Sequence, residues 1–297
     1  MSFDPTQAPV VFGEALFDCF PDGSEVLGGA PFNVAWHLAA FGAAPVFVSR
    51  VGEDPLGARI EAAMQRLGMT TVGLQRDPAH STGTVQVKLE GGEPSYDIVA
   101  GSAYDFIDAG ALPTPPTGGL LYHGTLALRN ADSAAALGRL RADTNAVFLD
   151  VNLRPPWWSL EQVQTLLSAA RWAKLNTDEL ALLAPNGDSP ESQAEALMQR
   201  HALERVYATL GAAGAFALTA DGTLERISPG TGIEVVDAVG AGDGFAAVLI
   251  LGLLRGWTLG DTLERAQTFA SAIVARRGAT IDDPDFYAGF LDLWSVA

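Results

Sequence analysis

Cysteine is almost missing: Cys19 stands alone in 297 residues, so no disulfide forms within the chain. A lone thiol suits a reducing compartment, and its ordinary reading is a small buried hydrophobe. Positive charge is scarce too. The 18 Lys and Arg face 35 Asp and Glu, a net charge of −17. That excludes a basic face for nucleic acid or an anionic membrane, and an anionic substrate must find a local positive site. The longest apolar runs are too short, or too interrupted by glycine, to span a bilayer. Residues 1–9 carry neither the basic stretch nor the apolar core of a signal peptide, so the cytoplasm is the expected location. His37, His80, His123 and His201 are scattered without zinc-ligand spacing. Also absent are a G-x-x-x-x-G-K-[ST] phosphate loop, a G-x-S-x-G turn, the protein-kinase motif set and a G-x-G-x-x-G after the first strand. P-loop, serine-hydrolase, protein-kinase and dinucleotide chemistry therefore lose their support.

What is present is globular, with 48% hydrophobic and 18% charged residues. Patterning predicts strands at 10–16, 45–51, 119–123, 146–151, 171–175, 206–210, 215–219 and 223–227. Helices are expected at 33–41, 54–67, 133–141, 160–169, 189–201, 241–254 and 259–276. Asp54-Pro55 and Ser189-Pro190 each place a capping side chain before a proline at the first helical position. This rhythm predicts an α/β fold, a mostly parallel sheet with helices on both faces. One region departs from it. Residues 82–89 alternate with period two, and residues 95–99 do so again after Glu90-Gly91-Gly92-Glu93. With the Pro21-Asp22-Gly23 turn, the stretches 14–27 and 82–104 form a small antiparallel β element, a lid or a dimer interface, on one domain spanning 1–297.

The most informative segment is Val236-Asp237-Ala238-Val239-Gly240-Ala241-Gly242-Asp243-Gly244-Phe245. A helix start has unpaired N–H groups and the positive end of the helix dipole, and glycines let a ligand approach the backbone. Two readings stay open: a glycine-rich helix start, or a phosphate cradle with Asp243 beside it as a base. Gly28-Gly29-Ala30-Pro31-Phe32-Asn33 is either an ordinary helix start or bare backbone with a hydroxyl-binding Asn33. Asp18, near the end of the first strand, is placed for sugar hydroxyls in an α/β crevice. In Asp150-Val151-Asn152-Leu153-Arg154, polar residues share one side of extended chain. Arg154 is a phosphate ligand or the ion-pair partner of Asp150. Asn176-Thr177-Asp178-Glu179 is a helix cap or a set of oxygen ligands for Mg²⁺, acting through its waters. Thr209-Leu210-Gly211-Ala212-Ala213-Gly214 suits the approach of a nucleotide.

Taken in this order, the motifs resemble the ribokinase-like (PfkB) carbohydrate kinase family over roughly residues 9–290. The resemblance rests on Gly28-Gly29-x-x-x-Asn33, Asn176-x-x-Glu179, Thr209-x-Gly211 and Asp237-x-x-Gly240-Ala241-Gly242-Asp243. Gly13-Glu14-Ala15-Leu16-x-Asp18, Ala103-Tyr104-Asp105-Phe106-Ile107 and Asp150-x-Asn152-Leu153-Arg154-Pro155-Pro156-x-Trp158 are similar to fructokinases. Ala238 departs from the usual Thr, and Phe32 stands where a small residue is common, either narrowing the sugar site or packing under the lid. The resemblance implies a three-layer fold and transfer of a phosphoryl group from ATP to a sugar hydroxyl, O6 in fructose. It makes Asp243 the base and the N–H groups of Gly240, Ala241 and Gly242 an anion hole. Asp18, Gly28, Gly29, Asn33 and Arg154 hold the sugar, and Thr209, Gly211, Gly214 and Gly242 the nucleotide. Asn176 and Glu179 position Mg²⁺, and Asp237 with residues 276–282 is the place for K⁺. A homodimer through the lid is implied as well. Competing expectations are a 2-keto-3-deoxygluconate or ribose type of kinase, and a non-catalytic sugar-binding protein.

Overall fold

The computed structural model describes residues 3–90, 93–114, 116–144, 146–230 and 234–295. The strand expected over 10–16 is two strands in two sheets. β1 (Val10–Phe12) ends at Gly13, where a Cβ would lie 2.4 Å from the Pro31 ring. The chain then leaves for β2 (Leu16–Cys19) and returns as β3 (Glu25–Gly28). Next come α1 (Ala30–Ala40), β4 (Val46–Gly52), α2 (Pro55–Arg66), β5 (Leu74–Asp77), β6 (Gly83–Glu90) and β7 (Glu93–Ile98). The stretch 99–104 carries no strand; it runs into a 3₁₀ turn at Ala103–Phe106. Then β8 (Leu121–His123), α3 (Ala131–Arg141), β9 (Val147–Asp150), α4 (Leu160–Ser168), β10 (Trp172–Asn176), α5 (Thr177–Leu183) and α6 (Pro190–His201) alternate. β11 (Arg205–Thr209), β12 (Ala215–Thr219), β13 (Leu224–Ile227), α7 (Ala241–Arg255), α8 (Leu259–Val274) and α9 (Pro284–Ser295) complete the order.

The large sheet has nine strands in the order β13-β12-β11-β10-β9-β8-β1-β4-β5. Its pairings are parallel from β5 to β11, and only β12 and β13 are added antiparallel. Alternation along each strand divides the core. Val11, Phe47, Tyr122, Phe148 and Trp172 pack on one face with α1, α2, α7, α8 and α9, and Val10, Phe12, Leu149, Leu175 and Val206 pack on the other with α3, α4, α5 and α6. This is the expected three-layer α/β arrangement. From β1 the chain builds outward to β4 and β5, then returns to place β8 on the other side of β1. In such a sheet the crevice for ligands opens at the strand C-termini where the order reverses.

The second sheet, β3-β2-β6-β7, stands over that crevice. Two of its pairings are antiparallel, and β2 runs parallel to β6. Register puts Val26, Asp18, Val85 and Ile98 in one row, and all four line the same cavity. The opposite face holds Phe17, covered by the Arg59 guanidinium of α2 at 4.3 Å. Cys19, expected to be buried, is half-buried, because β2 belongs to this outlying sheet rather than to the main core. Phe32 neither narrows the crevice nor lies under the small sheet. It is fully buried and packs on Phe47 and Trp36, since its place on α1 faces the large sheet.

Candidate active site

A cavity of about 850 Å³ lies between the strand ends and the small sheet. Asp18, Gly28, Gly29, Asn33, Arg154, Asn176, Glu179, Thr209, Asp237, Gly240, Gly242 and Asp243 all line it. A groove of about 950 Å³ near Phe3, Arg141 and Arg171 collects none of the residues singled out from sequence.

The floor of the cavity is built by two helix starts. α7 begins at Gly240, whose left-handed φ of 81° and contact with Ala279 require glycine; a Cβ would lie 2.5 Å from Ala279 Cα. No side chain caps this end, so its backbone N–H groups are left for a ligand, although that of Ala241 turns back to Ala238 O at 3.4 Å. α1 begins at Gly29, where a Cβ would lie 2.6 Å from Glu14 O. From its first turn the buried Asn33 donates Nδ2 to Asp243 Oδ2 at 2.8 Å. A carboxylate only accepts, so the amide is oriented with Oδ1 away from Asp243, and Oδ1 has no partner among the described residues. Burial raises the Asp243 pKa to about 6; the Asn33 bond opposes it, the Asp150 charge adds to it, and Lys174 and Arg154 oppose it.

Behind this turn stands a group the sequence reading missed. Lys174 Nζ donates to both oxygens of Asp150 at 3.0 Å, and both residues are buried. Burial alone would lower the ammonium pKa, but Asp150 holds it above its ordinary value. Tyr122 also donates to Asp150, at 3.2 Å. A Cβ built on Gly242 would be 3.6 Å from Nζ, which places the ammonium beside the anion turn. The signal was available: a lysine inside an apolar strand, two residues before Asn176 and on the same face. Asp150 thus pairs with Lys174 and not with Arg154, whose guanidinium is exposed and donates to Leu153 O at 3.3 Å.

Asn176 and Glu179 form a reciprocal cap. Asn176 Oδ1 accepts from Glu179 N, and Glu179 Oε2 from Asn176 N, both at 2.9 Å. Glu179 Oε1 accepts from Leu153 N at 2.8 Å. Each carboxylate oxygen has a second lone pair, so the pair fits a water-held Mg²⁺ rather than a directly bonded one. Asp237 accepts from Val239 N at 3.0 Å and Gly278 N at 3.2 Å, which joins it to the segment 276–282. That segment is latched to α1: Trp36 Nε1 donates to Ile281 O, and His37 Nε2 donates to Ala279 O at 3.0 Å. The proton on Nε2 leaves Nδ1 to accept from Tyr287, and burial lowers the His37 pKa to about 4, so the ring is neutral. Thr209 lines the cavity, whereas Gly211 and Gly214 do not. Gly214 is needed for packing: a Cβ would meet Ile227 O at 2.0 Å.

A carboxylate at a glycine-bounded helix start, over the crevice of a three-layer α/β sheet, is the arrangement of a sugar kinase. Residues 19–285 match the pfkB family carbohydrate kinase, and the chain belongs to that family. It is similar to the fructokinase of Escherichia coli, 30% identical over 82% of this chain and 83% of that one. The aminoimidazole riboside kinase of Salmonella typhimurium is 28% identical over 97% and 96%. Among solved structures, the Vibrio cholerae fructokinase with fructose, ADP and calcium ion bound superposes with a TM-score of 0.84 at 26% identity, covering 97% of this chain and all of that one.

Proposed function

We propose that this chain transfers the γ-phosphoryl group of ATP to a small neutral sugar, with fructose at O6 the first substrate to test. The observation that carries the reading is Asp243, oriented by Asn33 and seated beside an uncapped helix start. Asp243 takes the hydroxyl proton as the oxygen attacks phosphorus, and ADP leaves from the opposite side. The N–H groups at Gly240, Ala241 and Gly242 and the ammonium of Lys174 hold the charge of the moving phosphoryl group. Asp18, Gly28, Gly29 and Asn33 hold the sugar, and Arg154 supplies an exposed guanidinium at the rim. Thr209 is the nucleotide contact that the cavity supports, with Gly211 and Gly214 shaping the turn behind it. Asn176 and Glu179 would hold Mg²⁺ through water, where it would neutralise ATP phosphate charge. Asp237 and the carbonyls near it are the candidate K⁺ site, in keeping with the potassium bound in a Vibrio cholerae fructokinase variant.

Charge favours a neutral sugar over a sugar acid. Glu14, Asp18, Asp150, Glu179, Asp237 and Asp243 line the cavity against Arg154, Arg277 and Lys174, and Lys174 is already paired. Lys88 of the hairpin, the lysine nearest the small sheet's turn, is exposed and bonded to Asp97. A riboside is the second reading, favoured by the Salmonella relative. A panel of fructose, ribose, 2-keto-3-deoxygluconate and aminoimidazole riboside in a coupled ADP-release assay, with and without potassium, tests these readings. ADP release without regard to added sugar would sink them all. No described helix is long and apolar enough to cross a membrane. The cytoplasm is part of the proposal, tested by cell fractionation.

The small sheet is proposed as a lid. The outer edges of its end strands β3 and β7 have no partner strand among the described residues, and Val26 and Tyr96 on those strands, with Val99 just beyond β7, are exposed. Pairing with a second copy would cover them. Light scattering at assay concentration is expected to give twice the chain mass, and Tyr96→Lys is expected to shift it toward the monomer. A monomeric wild type would remove the dimer and leave the lid.

A further inference from the structure

We propose that Glu14 is a further sugar-binding residue, whose carboxyl takes a second hydroxyl of the substrate, away from the one that is phosphorylated. This rests on the reading of the cavity as a sugar site and adds a residue to it. Glu14 directly follows Gly13 at the end of β1, the strand where the sheet order reverses. It lines the cavity, is only 4% exposed, and its Oε2 is buried without a hydrogen-bond partner among the described residues. A buried carboxyl oxygen without a donor is unfavourable in the empty protein. Asn33 Oδ1, in the same cavity, is a second buried acceptor without a donor. Two such acceptors complement a ligand with several O–H groups, and they oppose one that presents a carboxylate.

The charged and titratable groups facing Glu14 are Arg154, Asp243, Arg129, Tyr104 and Tyr122, and none is paired with it. Burial pushes its carboxyl up to about 7, so near neutrality it can accept from a hydroxyl or donate to one. The competing structural role is a water bridge to Arg129, whose Nη1 is also buried without a partner among the described residues.

Steady-state kinetics of Glu14→Met and Glu14→Gln separate the two roles. Glu14→Met is expected to raise the fructose KM about tenfold or more, roughly the effect of one hydrogen bond to a charged group. The kcat changes less, the ATP KM serves as control, and Glu14→Gln falls between Met and wild type. A carboxyl with a raised folded pKa loses stability as pH rises toward that pKa, so Glu14→Met is expected to melt no lower than wild type at about pH 8. Cycles with 1-deoxy-, 3-deoxy- and 4-deoxyfructose locate the contact: for one analogue, variant and wild type converge. An unchanged fructose KM in Glu14→Met overturns the proposal, as does a parallel loss for fructose and ATP with a lower Tm, the signature of a broken water bridge. Sugar-dependent ADP release by the wild type tests the parent reading separately.

Discussion

Asp243→Asn is expected to lower kcat by about 10²–10⁴-fold while the sugar KM moves little. The substitution is isosteric, so the contact to Asn33 survives by rotation of the new amide, and what disappears is the proton acceptor. The wild-type pH profile supplies an independent check. Burial holds the Asp243 pKa near 6, above its ordinary 3.8, so the base is protonated below that pH. kcat/KM should therefore fall as pH drops through about 6 and level off above it. Glu14 titrates in the same cavity near 7, and repeating the profile in Glu14→Met isolates the limb that belongs to Asp243. Stability moves the opposite way. The folded protein binds this proton more tightly than the unfolded chain, so stability is lost as pH rises from about 4 to about 6. Asp243→Asn lacks that loss and should melt no lower than wild type at about pH 8. Near-normal turnover, or a collapsed Tm, would remove Asp243 as the base.

The alternating layers were legible because most strands are continuous apolar runs bounded by caps and turns, the pattern of strands buried on both faces. What escaped lies at the margins. β5, Leu-Gln-Arg-Asp, is a polar edge strand held by pairing with β4 and carries no apolar run of its own. α9 buries Tyr287 and Trp294 against α8 and Phe41, a tertiary interest that its local sequence announces only through Asp283-Pro284. Candidate residues of the glycine turns that line the cavity were legible in the sequence, since glycine marks close approach. Gly214 shows the limit of that logic: its bare Cα receives the Ile227 backbone, and sequence cannot tell a ligand from a neighbouring strand. Glu14 and Lys174 were passed over for another reason. Each sits at or within an apolar strand, where a single polar residue among hydrophobes does not alter the period. Only the sheet order β10-β9-β8-β1 turns them toward the same crevice.

Lys174→Met should be the most disruptive substitution for folding and nearly as harmful to turnover. It strands Asp150 in the core with Tyr122 as its remaining donor. Removing one partner of a buried ion pair typically costs about 3–5 kcal/mol, because the other charge is left unpaired. The proposed phosphoryl transfer gives the ammonium a second task, since it stands beside the Gly242 backbone at the anion turn. The two tasks come apart in the double variant Lys174→Met, Asp150→Asn. Neutralising Asp150 removes the unpaired charge, so the Tm should recover much of what the single variant loses. If Lys174 also stabilises the transferring phosphoryl group, kcat should stay depressed by about 10²–10³-fold, the usual effect of losing one oriented donor to developing charge. Recovery of both Tm and kcat would assign Lys174 to packing alone. Recovery of neither would mean that Asp150 itself holds the cavity in shape, and Asp150→Asn alone would then show the same loss. Calorimetry and steady-state kinetics on the three variants decide between these outcomes, because only a contact with the phosphoryl group predicts a restored fold that still turns over slowly.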